Sequence, residues 1–265
     1  MTVVSRNRPR LPGLWRGAFA AAALVCAAVP AKADDTNAIL KAMTTYIASQ
    51  KAISLSFDSS IEIVTPSVEK IQFASSGELL LSRPDKLRAT RTGGYADVEL
   101  VYDGKTATLY GRNLNAYAQT DAPNSIDQLV DMLRAKLNVD LPGADLVLAG
   151  SYDALTEDVL EGKHIGRGVV DGVECEHLAF RTTDTDWQLW VEVGPRPIPH
   201  KYVITSKATG AAPQYTLVIR NWKTDVQPGA DAFAFKPTAG AKKVDFAGLS
   251  DLDEVPHGAP AGGKK

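Results

Sequence analysis

Over most of the chain, apolar and polar residues alternate with a period of two. From Ile53 the apolar positions are Ile53, Leu55, Phe57, Ile61 and Ile63, with Ser54, Ser56, Asp58, Ser60 and Glu62 between them. Side chains of a strand point alternately to opposite faces, so this is one long, half-buried strand. After a turn at Thr65-Pro66-Ser67, Ile71, Phe73, Leu79 and Leu81 repeat the pattern, with Gln72 and Glu78 outward. Gly77 is expected to mark a bulge or bend there. Beyond Arg83-Pro84-Asp85, Leu87 and Ala89 point inward on a third strand. Strands at 98–102 and 106–110 flank Asp103-Gly104, a strong hairpin signal. Residues 114–119 give a weaker strand that ends this half.

Helical spacing appears twice. Before the first strand, Ile39, Leu40, Met43, Tyr46 and Ile47 form one stripe, with Asp34, Asp35 and Thr36 offering cap oxygens and negative charge at its start. After Ser125, a cap residue, the second stripe is Ile126, Leu129, Val130, Leu133 and Leu137. Leu141-Pro142-Gly143 breaks it, and 145–149 and 154–160 read as further short helices. Strand returns at 162–170, where Gly166 and Gly168 read as a bend.

From Val173 to Arg181, Val173, Cys175, His177 and Ala179 share one face, and Glu174, Glu176, Leu178 and Phe180 the other. Next, Trp187, Leu189, Val191 and Val193 share a face. Turns at 183–186, 194–199 and 209–213 separate these strands from two more, at 200–205 and 214–222. Consecutive strands joined by short turns form an antiparallel meander. A sheet of this many strands must curl or close, and the helices are the natural cover for its concave, apolar face. The expected class is α+β: a curved antiparallel sheet, as a half-open barrel, with an N-terminal helix and a helical lid.

Composition adds the compartment. Arg6, Arg8, Arg10 and Arg16 precede a short apolar run at 17–29, and Ala31-Lys32-Ala33 follows. This is the layout of a cleavable export signal over 1–33, and the apolar run falls short of the roughly 20 residues of a membrane span. Val25 before Cys26 speaks against a lipidated cysteine. Cys175 is then the lone cysteine of the exported chain, so no internal disulfide can form and the core must supply stability. Residues 34–249 read as one domain with a helical insert at about 124–161, and 250–265 as a disordered tail. The net charge of -2 offers no basic field for nucleic acid.

The run 171–180, followed by Asp186-Trp187-Gln188-Leu189-Trp190 and Pro197-Ile198-Pro199-His200-Lys201, resembles an uncharacterised family of predicted periplasmic proteins, a domain of unknown function. Arg83-Pro84 and Val101-Tyr102-Asp103-Gly104-Lys105 resemble the first half of the same family, and the likeness runs from about Asp35 to Phe246. In architecture the layout is similar to the LolA-like lipoprotein-carrier superfamily. That resemblance implies an unclosed barrel with a lid over an apolar cavity, and cargo release through an arginine on a strand. Arg88 and Arg91 are the arginines considered, with the role assigned to neither.

Candidate chemistry is sparse. Cys175 and His177 share a strand face, but zinc needs about four ligands and a thiolate needs a base. The further histidines of the exported chain are His164, His200 and His257. Glu174 with Glu176, Asp184 with Asp186 and Glu157 with Asp158 are paired acids without an evident cleft. There is no nucleophile elbow, zinc-protease motif or phosphate-binding glycine loop. The expectation is a non-enzyme with no metal and no cofactor. It would be a periplasmic protein that binds or carries a lipid, acyl chain or lipoprotein through Leu55, Phe57, Phe73, Leu79, Leu100, Leu129, Leu133, Leu189, Val191 and Tyr202. The alternative is an envelope interaction or sensor module that holds a partner protein.

Overall fold

A computed structural model describes residues 33–249 and Leu252, apart from 138 and 140. The expected export segment up to residue 32, and the tail other than Leu252, lie outside the described residues. Helix α1 (Ala33–Ser49) leads into six strands: β1 (Ala52–Val64), β2 (Lys70–Ser82), β3 (Lys86–Gly93), β4 (Asp97–Tyr102), β5 (Thr106–Gly111) and β6 (Ala116–Asp121). Helix α2 (Ile126–Leu137), a 3-10 turn (Ala144–Val147) and helix α3 (Ser151–Thr156) form the insert. A second meander follows: β7 (Glu161–Val170), β8 (Val173–Arg181), β9 (Thr185–Glu192), β10 (Pro199–Ser206) and β11 (Gln214–Lys223). The two-residue β12 (Lys242–Lys243) and a 3-10 turn (Phe246–Leu249) come last.

The strands make one curved sheet in the order β12-β6-β5-β4-β3-β2-β1-β11-β10-β9-β8-β7. Every pairing is antiparallel except that of β12 with β6. The outermost strands, β12 and β7, do not pair, so the sheet is unclosed. The two meanders join at the centre, where β1 meets β11.

Register shows why alternation in sequence becomes one apolar face. Leu55 lies opposite Leu79, Leu79 opposite Ala89, Ala89 opposite Leu100, Leu100 opposite Leu109 and Leu109 opposite Ala118. On the other side of the centre, Leu217, Tyr202, Leu189 and Leu178 form a second row. A slip of one residue in any strand would turn its part of the row to the opposite face.

Three local expectations are corrected or sharpened. Gly77 is not a bulge, because β2 keeps register on both sides of it. It is glycine because a Cβ there would meet the Thr90 carbonyl oxygen at 2.1 Å and the Phe57 ring at 2.4 Å. The bend expected near Gly166 is present: register shifts between His164 and Gly166, and Gly166 has φ 124. The helix expected at 154–160 forms earlier, as α3, and Leu160 is 70% exposed.

The C-terminal segment wraps the β6 edge. On the outer face Arg88 donates to the Ala232 carbonyl, and the Phe235 ring packs on Tyr110 and Tyr117. β12 then adds to the edge, and Phe246, Leu249 and Leu252 pack into the core. We call this segment the strap.

Candidate functional site

The apolar face is not filled throughout. A cavity of about 660 Å³ lies between the sheet and the helical insert. Its sheet wall is the row Leu55, Leu79, Ala89, Leu100 and Leu109, with Phe57 and Ile219 beside it. Its helical wall is Ile126, Leu129 and Val130 of α2 and Leu146 to Leu148 after the 3-10 turn. Phe246, Leu249 and Leu252 of the strap close one side. Arg91 is the one charged side chain among the described lining residues, and it donates to the Leu252 carbonyl.

Of the ten residues expected at the site, Leu55, Phe57, Leu79, Leu100 and Leu129 line this cavity. Leu133, Leu189, Val191 and Tyr202 do not. They are 1%, 0%, 1% and 4% exposed in the closed part of the core. The reason is volume. Beneath the second meander, Phe180 stacks on Trp187 at 3.9 Å and Trp187 meets Tyr202 edge-on, so rings fill the space that leucine and alanine leave open elsewhere. Burial pushes the Tyr202 hydroxyl far up, so it stays neutral. Phe73 lies beyond the cavity, half-buried, edge-on to Tyr95 at 5.3 Å.

The insert is internally tied. The Asp127 carboxylate accepts from the Ala149 and Gly150 amides at 3.1 and 2.8 Å. Arg134 pairs with Asp145 at 2.8 Å and donates to the Leu141 carbonyl. Ser125 caps α2 by accepting from the Gln128 amide. The Tyr102 hydroxyl donates to the Pro123 carbonyl, and the Ile126 amide to that of Pro84, so the insert is hinged to the sheet at this end.

The arginine that joins insert to sheet is one the sequence reading passed over. Arg83, at the end of β2, donates Nε to the Gln50 carbonyl at 3.1 Å and a terminal nitrogen to those of Val147 (2.7 Å) and Ile47 (3.4 Å). It thus clips the insert to the end of α1. Burial lowers its pKa, with the Asp127 charge opposing. Arg88 points to the outer face, where it and Arg112 hold the buried Glu99. The legible signal was Arg83-Pro84 itself: an arginine in the turn after Leu81, next to the helical insert.

The Cys175 and His177 pair also lies on the outer face. His177 stacks on Trp190 at 4.1 Å and bonds Gln188 at 2.9 Å, while the Lys201 ammonium sits over the Trp190 ring at 5.0 Å. His164 bonds Glu176 instead. Among the described residues no three metal-ligating side chains come together. Burial, helped by the Glu192 charge, pushes the Cys175 thiol up from 9.0 to about 11. The fold therefore keeps its proton where the unfolded thiol has lost it. The stability that this thiol contributes is complete below pH 9.0 and is lost as pH rises toward about 11, at up to about 1.4 kcal/mol per pH unit. Cys175→Ala is expected to flatten this part of the loss, read as urea midpoints across that window. Equal losses in parent and variant would contradict it.

The fold and cavity together define an α+β protein built on one large unclosed antiparallel sheet, with an apolar pocket under its helices. The chain belongs to the family described as predicted periplasmic protein (DUF2092), whose model matches residues 36–247. No curated protein matches the chain. Among solved structures it is similar to an uncharacterized conserved protein from Thermus thermophilus, at 9% identity and TM-score 0.49, covering 80% of this chain and 99% of that one. It is also similar to LprF from Mycobacterium bovis, at 11% identity and TM-score 0.46, covering 74% and 97%. A third is the LolA superfamily protein NE2245 from Nitrosomonas europaea, at 12% identity and TM-score 0.36, covering 76% and 97%.

Proposed function

We propose that this is an exported, non-catalytic carrier that takes a hydrophobic ligand, a lipid, acyl chain or lipoprotein, into the cavity between a half-open barrel and a helical lid. The observation that carries the reading is the 660 Å³ cavity with aliphatic walls on both sides. Interiors pack to crystal-like density, so an apolar space of this size is unusual unless something occupies it. The residues proposed to touch the ligand are Leu55, Phe57, Leu79, Leu100 and Leu129. The lid is the insert at 124–161, which its own ion pair and caps make a single body and which Arg83 holds shut. Export is by a signal over 1–33, cleaved near Ala33. Native mass spectrometry of protein purified from the periplasm tests the proposal. A lipid released on denaturation is the expected result, and a protein mass with nothing bound at any stage of gentle purification would sink it.

One observation favours the other reading, a module that holds an envelope partner. Among the described residues β7 has no partner strand on its outer side, and Ile165 and Val169 are exposed at 55% and 70%. The register shift at its middle and the charges of Lys163 and Arg167 blunt that edge, which makes the carrier reading the stronger.

A further inference from the structure

The cavity is long in one direction only. Its sheet wall comes from six neighbouring strands, β5, β4, β3, β2, β1 and β11. Neighbouring strands lie about 4.8 Å apart, so the gaps between them give a length of about 24 Å across the sheet. Along the strands the cavity is short, and touches only Leu79 on β2 and only Leu109 on β5. A volume of about 660 Å³ spread over about 24 Å has a mean cross-section of about 28 Å². Packed carbon chains approach to about 4.5 Å, so one alkyl chain takes about 20 Å² and two side by side about 40 Å². The section admits one chain and excludes a pair.

Both ends of that length are walled. At one end, Leu252 of the strap sits so close over β5 that a Cβ on Gly111 would meet its side chain at 2.6 Å. The next strand, β6, places Ala118 opposite Leu109, fully buried and outside the lining. At the other end, Gly143 of the insert comes down on Leu217, where a Cβ would meet the leucine at 2.7 Å. Beyond Leu217 lies Tyr202, its partner on β10, edge-on to Trp187. A tetrahedral carbon chain with bonds of about 1.52 Å advances about 1.25 Å per carbon, so about 24 Å holds up to about eighteen carbons.

We propose that the ligand carries a single acyl chain of about sixteen to eighteen carbons that lies across the strands. Leu109 and Leu252 at one end, and Leu217 and Gly143 at the other, measure its length. This rests on the carrier reading and selects among its ligands. A free fatty acid or a lysolipid fits, and a lipid or lipoprotein with two or three chains does not.

The test is displacement of a fluorescent fatty acid from the full chain by two sets of lipids. The first is the saturated fatty acids from laurate through palmitate and stearate to lignocerate. The second is palmitoyl lysophosphatidylcholine against dipalmitoyl phosphatidylcholine, which share a head group and differ by one chain. Affinity is expected to rise about fourfold with each added carbon up to palmitate or stearate, and to fall at lignocerate. The lysolipid is expected to bind at least about tenfold more tightly than the diacyl lipid. Leu109→Ala draws back the wall at one end, so the best chain becomes longer by about two carbons, whereas mere destabilisation would weaken every length alike. If Leu109→Ala does not fold, the length series and the lipid pair in the parent still decide. Affinity that keeps rising through lignocerate, or a diacyl lipid bound as tightly as the lysolipid, overturns the proposal and leaves the carrier standing. So does a folded Leu109→Ala protein whose best chain is the parent's. If the fluorescent fatty acid and every lipid of both sets fail to bind the parent, the carrier reading itself falls.

Discussion

Ala89→Trp is expected to abolish uptake of hydrophobic ligand while leaving the protein folded and at least as stable as the parent. Ala89 lies at the middle of the sheet wall, between Leu79 and Leu100, with its side chain toward the cavity. An indole there occupies space that an acyl chain would use. Displacing about four methylenes at about 0.8 kcal/mol each removes about 3 kcal/mol of binding, a factor of about 200 in affinity. The effect on stability has the opposite sign from that of an ordinary core substitution. Forcing a large side chain into a filled core costs about 1–3 kcal/mol, whereas filling an empty apolar space gains buried area. Ala118 ends the same row, is 0% exposed and does not line the cavity, so Ala118→Trp is the matched control and is expected to destabilise. Thermal midpoints and a fluorescent fatty-acid displacement assay measure both. A marked loss of stability in Ala89→Trp equal to that of Ala118→Trp would mean that the space is not available to a ligand.

Much of this site was legible because alternation fixes a face. The spacing of Leu55 and Phe57, Leu79, and Leu100 placed them all on one side, and register then put them in adjacent rows. Alternation does not say which part of that face is filled. Leu189 and Val191 alternate as cleanly as Leu55, yet Phe180, Trp187 and Tyr202 fill the space above them. The aromatic residues of the second meander, set against the Leu and Ala of the first, were the available signal. The strap was hidden for another reason. Its Gly, Ala, Pro and Lys content follows no period, and Phe233, Phe235, Phe246 and Leu249 are spaced to wrap an edge rather than to cover one face. Arg83 was obscured by its turn, since Arg-Pro reads first as the end of a strand.

Arg83→Met is expected to cost about 3 kcal/mol of stability and to speed ligand exchange. Arg83 supplies donors to three carbonyls, those of Ile47, Gln50 and Val147, on two elements that also meet through apolar contact. Removing a buried partner leaves each acceptor with a penalty of about 1–3 kcal/mol, partly offset because the guanidinium itself no longer has to be desolvated. Methionine retains the apolar stem, so the loss reflects the head group. The kinetic consequence separates a staple from a latch. If Arg83 holds the lid shut in both empty and loaded protein, its loss shifts both toward open. Association and dissociation of a fluorescent fatty acid then rise together, by about tenfold for each 1.4 kcal/mol of latch removed, while affinity changes little. Arg112→Met is the comparison, because it strips a partner from the buried Glu99 on the outer face and is expected to lower stability without touching exchange. Stopped-flow rates that stay at the parent value in Arg83→Met, despite a lowered unfolding midpoint, would reduce Arg83 to a structural tie and leave the gate to be sought elsewhere.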